Sequence, residues 1–308
     1  TIFVPRGWAD FFKMRSVAGI TAQAKIFSSN LTSICGCVVS KPFPITTLAT
    51  DMDGTFIPLD GNQDNVRDLL LLQAELELRS IDLVYVTGRD YRLVQSAIRS
   101  HLLPTPTWII CDVGTTIYVR DLNGKHELLE AYRDHLAEIV DGTDAQTLSE
   151  LLAGIPNMRK QEQEKQGQFK LSYYADVNEL DEVAEQIELR LTSDRLPYEL
   201  ISSVDPFTGQ GLIDLLPTSI SKAYALAWWA LHTKRDNESI VFAGDSGNDF
   251  AALTAGYRSI LVGNALPTVV FEVRNAHKRS DWLGRLHVAA GHATSGVLEG
   301  LKHFLASG

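Results

Sequence analysis

The sequence is poor in cysteine and has no long apolar run, and both shortages limit what the chain can be. Only three of its 308 residues are cysteines, Cys35, Cys37 and Cys111. Three thiols cannot all pair with one another, and Cys35 with Cys37 lacks the second pair that a zinc site needs. No stretch approaches the ~18 uninterrupted apolar residues that span a bilayer. We therefore expect reduced cysteines, a cytoplasmic location and no membrane partner.

The chain is also short of positive charge. Its 28 Lys and Arg residues face 38 Asp and Glu residues, which gives a formal net charge of -10. A nucleic-acid-binding protein usually carries a concentrated basic surface, and the sequence contains no such cluster. We therefore expect no nucleic-acid partner. An anionic ligand would have to be held by a few local cations, or by a metal ion, against the field of the whole chain.

The remaining composition is that of a globular protein, with 45% hydrophobic and 21% charged residues. At ~150 residues per domain, the length suggests two domains. Residues 1–44 form an N-terminal extension with five basic residues and one acidic residue, so the rest of the chain carries -14. Such a segment is typical of an organelle-targeting peptide and also of an arbitrary extension. Both interpretations stay open.

Apolar runs alternate with helical stretches from Ile45 onwards, which predicts an α/β fold. We expect a Rossmann-like core with a parallel sheet covered on both faces. Short β-branched runs predict its strands at 45–50, 81–86, 108–111, 240–243 and 259–262. Leu-rich stretches predict helices at 65–79, 91–101 and 223–231. The more polar middle, with strands at 169–175 and 198–201, predicts an α/β cap domain at 121–213 inserted between core halves at 45–120 and 214–308.

Polar motifs stand at the carboxyl ends of several predicted strands, where open α/β sheets bind ligands. Asp51 and Asp53 follow the first strand in a turn that contains Gly54. Two carboxylates at this spacing can serve one reacting centre, one as nucleophile and the other as proton carrier. An acidic turn after a strand is also common for structural reasons alone.

Three further motifs suit a phosphate group and a metal ion. Thr87 and Gly88 precede a helix whose N-terminus could bind phosphate oxygens, although Thr87 could equally be an ordinary helix cap. Lys222 begins a helix, against the macrodipole preference, and an anionic ligand would relieve that conflict. Asp245 and Asp249 offer hard oxygen ligands of the kind that Mg²⁺ prefers.

Together these motifs resemble the four motifs of the haloacid dehalogenase-type phosphatase superfamily, over about residues 45–304. The resemblance implies that Asp51 is a nucleophile that forms an aspartyl-phosphate and that Asp53 is the general acid and base. It implies a phosphate-binding set made of Thr87, Gly88, Lys222 and Asn248. It also implies an Mg²⁺ site made of Asp51, Asp53, Asp245 and Asp249.

Finer features resemble the sucrose-phosphate phosphatases of the sugar-phosphatase branch. The carriers are the segments Val113–Tyr118, Phe169–Tyr174 and His292–Gly300. The resemblance implies a sugar-phosphate substrate, most simply sucrose 6-phosphate, although phosphatases for mannosylfructose phosphate or glucosylglycerol phosphate share most of these features. Strand alternation in Phe169–Tyr174 places Lys170 on the less apolar face, where we expect it to meet the sugar.

Two other functions remain as alternatives. The chain could be a catalytically silent phosphatase-like module that regulates a glycosyltransferase partner, such as a sucrose-phosphate synthase. The presence of both Asp51 and Asp53 argues against this. It could also be a phosphotransferase or sugar phosphomutase, which would use the same nucleophile. The size of the predicted cap argues against that interpretation.

Overall fold

The computed structural model describes residues 44–205 and 208–306, and every statement on the fold refers to these residues. The strands are β1 (Thr47–Thr50), β2 (Asp82–Val86), β3 (Trp108–Cys111), β4 (Thr116–Arg120), β5 (His126–Leu128), β6 (Met158–Lys160), β7 (Leu171–Ala175), β8 (Tyr198–Val204), β9 (Gly211–Pro217), β10 (Ile240–Gly244), β11 (Arg258–Leu261) and β12 (Leu286–Val288). The helices are α1 (Gln63–Arg79), α2 (Tyr91–Ser100), α3 (Glu130–Ile139), α4 (Ala145–Leu151), α5 (Leu180–Ser193), α6 (Lys222–His232), α7 (Phe250–Leu253), α8 (Pro267–Arg279) and α9 (Ala293–Ala306).

The larger sheet confirms the expected α/β fold. Its eight strands lie in the order β12-β11-β10-β1-β2-β3-β4-β5. The pairs from β12 to β3 are parallel, whereas β4 and β5 form an antiparallel edge that the sequence did not predict. In the central register Thr50 lies between Ala243 of β10 and Tyr85 of β2. The residues after these three strands therefore meet at one edge of the sheet.

Helices cover both faces of this sheet, as the near-continuous burial of its central strands requires. Ile109 and Cys111 of β3 belong to a buried cluster with Leu72 of α1 and Leu301 of α9. Trp108 of the same strand points to the other face of the sheet and contacts Trp229 of α6, with ring centroids 6.0 Å apart. The helix that begins at Lys222 thus packs on the face opposite to α1 and α9.

The second sheet is antiparallel, in the order β6-β7-β9-β8, and α5 packs against it with Val183 and Ile187 buried. We propose that residues 140–217, called the cap from here on, form a separate domain. Strand pairing moves both expected boundaries. The β4–β5 hairpin extends the large sheet to Leu128, beyond residue 120, and β9 keeps the small sheet going to Pro217, beyond residue 213.

The predicted strands and helices in the described residues are all present, with ends shifted by a few residues. The strands that the sequence missed are mostly short and at sheet edges, such as β6 and β12 with three residues each. Among the described helices, none has the length and apolar character needed to cross a membrane. Residues 1–43 of the expected extension, with Cys35 and Cys37, lie outside the described residues, and Cys111 is a buried free thiol.

Candidate active site

A buried lysine joins two carboxylates at the edge where the central strands end. Asp51 follows β1 and Lys222 is the first residue of α6, whose N-cap is Ser221. The Lys222 Nζ donates to Asp51 Oδ1 at 2.8 Å and to Asp249 Oδ1 at 2.9 Å. All three charged side chains are buried. The motifs after β1, before α6 and after β10 therefore form one charged cluster.

Burial and neighbouring charges shift the pKa of Asp51 and the pKa of Lys222 in this cluster. Burial raises the pKa of Asp51 to about 7, the attraction of Lys222 lowers it, and the nearby Asp249 raises it again. Burial alone would lower the pKa of Lys222, but the attraction of Asp249 and Asp51 outweighs it and raises the pKa. Two carboxylates against one ammonium leave an excess of negative charge in a poorly hydrated place.

Three carboxylates at this edge fit a divalent cation. Asp51, Asp245 and Asp249 each offer an oxygen atom, and these atoms all lie within 4.8 Å of one another. Asp249 is oriented by its Oδ2, which accepts from the backbone N–H groups of Asp245 and Ser246 at 3.2 Å. Asp245 Oδ1 accepts from the hydroxyl of Thr55 at 2.9 Å. Anionic oxygen donors are the ligands that Mg²⁺ takes in proteins.

Asp53 lies apart from these three carboxylates. Its side chain is 57% exposed and pairs with Arg89, whose Nε donates to Asp53 Oδ2 at 2.7 Å while Nη2 donates to Oδ1. Of the four metal ligands that the sequence suggested, Asp53 is thus the one whose carboxylate the structure does not bring to the cluster. Sequence reasoning gave Arg89 no role, although it follows Thr87 and Gly88 directly.

Gly54 holds the turn between the two aspartates. Its φ is +70°, in the left-handed region that glycine adopts at no steric cost. A Cβ here would lie 2.6 Å from Asp245 Oδ2, so a side chain at this position would push the Asp245 carboxylate out of its place. Asn264, which the sequence did not single out, donates from Nδ2 to the Gly54 carbonyl at 2.8 Å and fixes the turn.

Of the other expected phosphate-binding residues, Gly88 and Asn248 line the cleft at this cluster, and Thr87 directly precedes Gly88 in the chain. Thr87 is buried, and its hydroxyl accepts from the backbone N–H of Arg89 at 3.1 Å. Gly88 and Asn248 line a cleft of about 540 Å³ together with Asp51 and Lys222. The cleft therefore opens onto the charged cluster.

The cap supplies the opposite wall of this cleft. Lys170 lines it and is buried, with its Nζ 3.7 Å from Asp214 Oδ1. The hydroxyl of Ser172 donates to the same oxygen of Asp214. Asp214 stands in β9, a strand missing from the sequence prediction, so no motif pointed to it. The signal that could have identified Asp214 is an acidic residue in a strand that pairs with the strand next to Lys170.

The sheet order, the cap and the acidic edge define a haloacid dehalogenase-type phosphatase. The crystal structure of the sucrose-phosphatase from Synechocystis sp. in complex with sucrose and phosphate has the same fold, with a TM-score of 0.64 and 22% identity, covering 85% of this chain and 98% of that one. The family model of sucrose-6F-phosphate phosphohydrolase matches residues 44–305. This chain belongs to that family and is a phosphoric monoester hydrolase.

Two sequence relatives agree with this assignment. A Nitrosococcus oceani protein that is named as a hydrolase of the haloacid dehalogenase-like (HAD-like) type is 37% identical over 265 residues, which is 83% of this chain and 71% of that protein. The mannosylfructose-phosphate phosphatase of Agrobacterium fabrum is 29% identical over 263 residues, which is 85% of this chain and 97% of that protein. Both matches cover the core and the cap.

Proposed function

We propose that this protein hydrolyses a sugar phosphate, most simply sucrose 6-phosphate, with Mg²⁺ and through an aspartyl-phosphate on Asp51. The observation that carries the proposal is the buried contact of Lys222 with Asp51 and Asp249 beside Asp245. Hydrolysis of a phosphate monoester needs positioning and charge stabilisation more than any other help. A fixed carboxylate, a fixed ammonium and an acidic metal-binding edge are suited to provide both.

In the first half-reaction a carboxylate oxygen of Asp51 attacks phosphorus. The P–O bond to the sugar breaks, and the leaving oxygen takes a proton from Asp53. In the second half-reaction Asp53 takes a proton from water, whose oxygen attacks phosphorus and restores free Asp51 with release of phosphate. As the carboxylate partner of Arg89, Asp53 has no proton to donate, so it must leave this ion pair and take a proton from solvent before the first half-reaction. We propose that substrate entry separates these two side chains.

The remaining residues would hold the phosphoryl group in place. Lys222 carries its positive charge at the oxygen of Asp51 and can share it with a phosphoryl oxygen on that side. We assign the other phosphoryl contacts to Thr87, Gly88 and Asn248. When bound by Asp51, Asp245 and Asp249, with a contribution of Asp53 as proposed from the sequence, Mg²⁺ would offset the repulsion between the carboxylates and an anionic substrate.

Lys170 is our candidate for binding the sugar. It faces the cleft from the cap, and a charged hydrogen bond to a sugar hydroxyl is worth roughly 1.5–3 kcal/mol. We expect Lys170→Ala to lower the ratio of kcat/KM for the sugar phosphate to that for p-nitrophenyl phosphate by roughly 10–100-fold. An unchanged ratio would mean that Lys170 serves the fold of the cap or the phosphate. Lys160→Ala, at an exposed lysine of β6, is the matched control.

The deciding experiment is a phosphate-release screen with Mg²⁺ over sugar phosphates that include the 6-phosphate of sucrose, mannosylfructose phosphate and glucosylglycerol phosphate. We expect release from at least one of them and none from the Asp51→Asn variant. Preference for mannosylfructose phosphate would align this chain with its Agrobacterium relative. An isomerised sugar phosphate without release would indicate a mutase.

A chain that binds sugar phosphates but releases no phosphate would indicate the silent module of a glycosyltransferase. A glycosyltransferase partner of the active enzyme is also part of our proposal, since such a partner would supply the sugar phosphate. Co-purification with a sucrose-phosphate synthase tests it. We further propose a cytoplasmic location, because the sequence has no cysteine framework typical of an oxidising compartment.

A further inference from the structure

Asp112 is a buried carboxyl group that the proposed mechanism does not use. It follows β3 at the same edge of the sheet and is 6% exposed. Its Oδ2 accepts from the hydroxyl of Thr116 at 3.1 Å, whereas its Oδ1 has no hydrogen-bond partner among residues 44–205 and 208–306. Buried carboxylate oxygens are normally hydrogen-bonded, so an unpartnered one requires an explanation.

Asp112 is one of the wall residues of the cleft that holds Asp51. Asp112 lines this cleft together with Lys170 and Asp214 of the cap. Burial raises the pKa of Asp112 to about 6, Lys170 and the Thr116 hydroxyl lower it, and Asp90 and Asp214 raise it again. The Asp112 carboxylate can accept a hydrogen bond. Its own negative charge and those of Asp90 and Asp214 disfavour an anionic phosphate beside it.

The backbone at Asp112 is held in a costly conformation. Asp112, Val113 and Gly114 have φ values of 52°, 60° and 103°, and the left-handed region is rarely adopted by a β-branched residue such as Val113. The hydroxyl of Tyr132 donates to the Gly114 carbonyl at 2.6 Å and helps to hold this turn. Such strain persists where the surroundings fix it, and it is concentrated at ligand-binding and catalytic sites.

We propose that Asp112 Oδ1 accepts a hydrogen bond from a sugar hydroxyl and so makes Asp112 a specificity-determining residue. This inference rests on the proposed function. A hydroxyl is neutral and can donate, which suits an acceptor among other carboxylates. Lys170 on the facing wall donates, so the two side chains together offer one acceptor and one donor to the same sugar. Asp112 contributes from the core, in addition to the contact expected from the cap.

The test uses Asp112→Gly, which removes the carboxylate and suits the left-handed backbone. Asp141→Gly is the matched control, because Asp141 is an exposed aspartate with a φ of 48°. The substrates are the best sugar phosphate of the screen, its monodeoxy analogues and p-nitrophenyl phosphate. Purified full-length chains are compared by kcat/KM for each substrate.

We expect wild type and Asp141→Gly to lose tenfold or more in kcat/KM when one particular hydroxyl is removed. Asp112→Gly should lose that preference, so its ratio of sugar phosphate to p-nitrophenyl phosphate falls tenfold or more. Asp112→Asn keeps an amide oxygen that can accept a hydrogen bond, so this variant should retain part of the preference that Asp112→Gly loses. Equal preferences in wild type and Asp112→Gly at every hydroxyl would overturn the inference alone. Absence of phosphate release from every sugar phosphate by wild type would overturn the proposed function and the inference with it.

Discussion

Gly114 is the residue whose substitution should reveal how the Lys222 ammonium is positioned. Its φ is +103°, and a Cβ built on it would overlap the carbonyl oxygen of Ser221 and lie 2.9 Å from the backbone nitrogen of Lys222. Both neighbours are backbone atoms, so no rotamer change can relieve the overlap. In Gly114→Ala the loop of Gly114 or the start of α6 must shift, and we expect a shift of α6 to move Lys222 with it.

The cost has two parts that can be separated. A left-handed backbone costs an L-residue roughly 1–2 kcal/mol, and forced overpacking costs typically another ~1–3 kcal/mol. We therefore expect Gly114→Ala to lose about 2–5 kcal/mol in the free energy of unfolding. Gly124→Ala is the control, because its φ is +83° and no described heavy atom lies within 4 Å of the added Cβ. It should lose only about 1–2 kcal/mol, the backbone part.

The assay is urea unfolding of both variants, together with kcat/KM for phosphate release. A displacement of about 1 Å in a positioning group can cost ~10²-fold, so Gly114→Ala should lose activity on that scale while Gly124→Ala stays near wild type. Equal losses of unfolding free energy in both variants would refute the steric reasoning. A destabilised Gly114→Ala with full activity would refute the link to Lys222.

Other predictions test the charges of the site. Asp51→Asn should lower turnover by more than ~10³-fold while the circular dichroism spectrum stays native, because it removes the attacking charge and keeps the shape; a tenth of wild-type turnover would contradict covalent catalysis. Asp53→Asn should cripple turnover and let a phosphoenzyme accumulate, measurable by acid quench with labelled substrate. Chelation should abolish phosphate release, Mg²⁺ should restore it and Ca²⁺, with 6–8 ligands at longer distances, should inhibit; full activity in excess chelator would remove the metal from the mechanism. Burial raises the pKa of Asp112 from 3.8 to about 6. As the pH rises, Asp112 therefore ionises in the unfolded chain before it ionises in the folded protein. The contribution of protonated Asp112 to the free energy of unfolding is complete below pH 3.8 and is lost as the pH rises through 6. The free energy of unfolding of Asp112→Asn, relative to that of wild type, should therefore be higher at pH 7.5 than at pH 3.5 by up to about 3 kcal/mol, measured by urea unfolding. A difference between variant and wild type that does not change with pH would contradict this prediction.

The sequence was sufficient to predict the core and the grouping of its motifs. The segments that form β1, β2, β3, β10 and β11 are short, rich in β-branched residues and buried. They can be recognised in the sequence because a parallel sheet buries both of its faces, so its strands are short apolar runs. Once they alternate with helices, their carboxyl ends must meet at one edge. That rule alone brings Asp51, Thr87 and Asp245 together, and the structure places Asp51 and Asp245 in one acidic group.

What the sequence could not predict depends on contacts between distant side chains. Arg89 lies 36 residues from Asp53 in the chain, and nothing in either motif indicates that they pair. The edge strands β6 and β12 have three residues each, too few for a hydrophobic period to be recognised. Asp112 follows a predicted strand, so the strand-end rule was applicable to it.

The division of labour between the core and the cap bears on how relatives with one chemistry could differ in substrate. The charged cluster of Asp51, Lys222 and Asp249 is built entirely from the core, and its three members are buried against one another. Replacing Lys222 would leave two buried carboxylates without their cation, and an uncompensated buried charge typically costs ~3–5 kcal/mol. Lys170 and Asp214 reach the cleft from a sheet that shares no strand with the core. A change in the cap can therefore alter the sugar that is bound without disturbing the cluster. Asp112 is the exception in this arrangement, because it would contact the sugar from the core and its loop presses on the residues that begin α6. A change of sugar specificity at Asp112 should for that reason be less easily tolerated than one at Lys170.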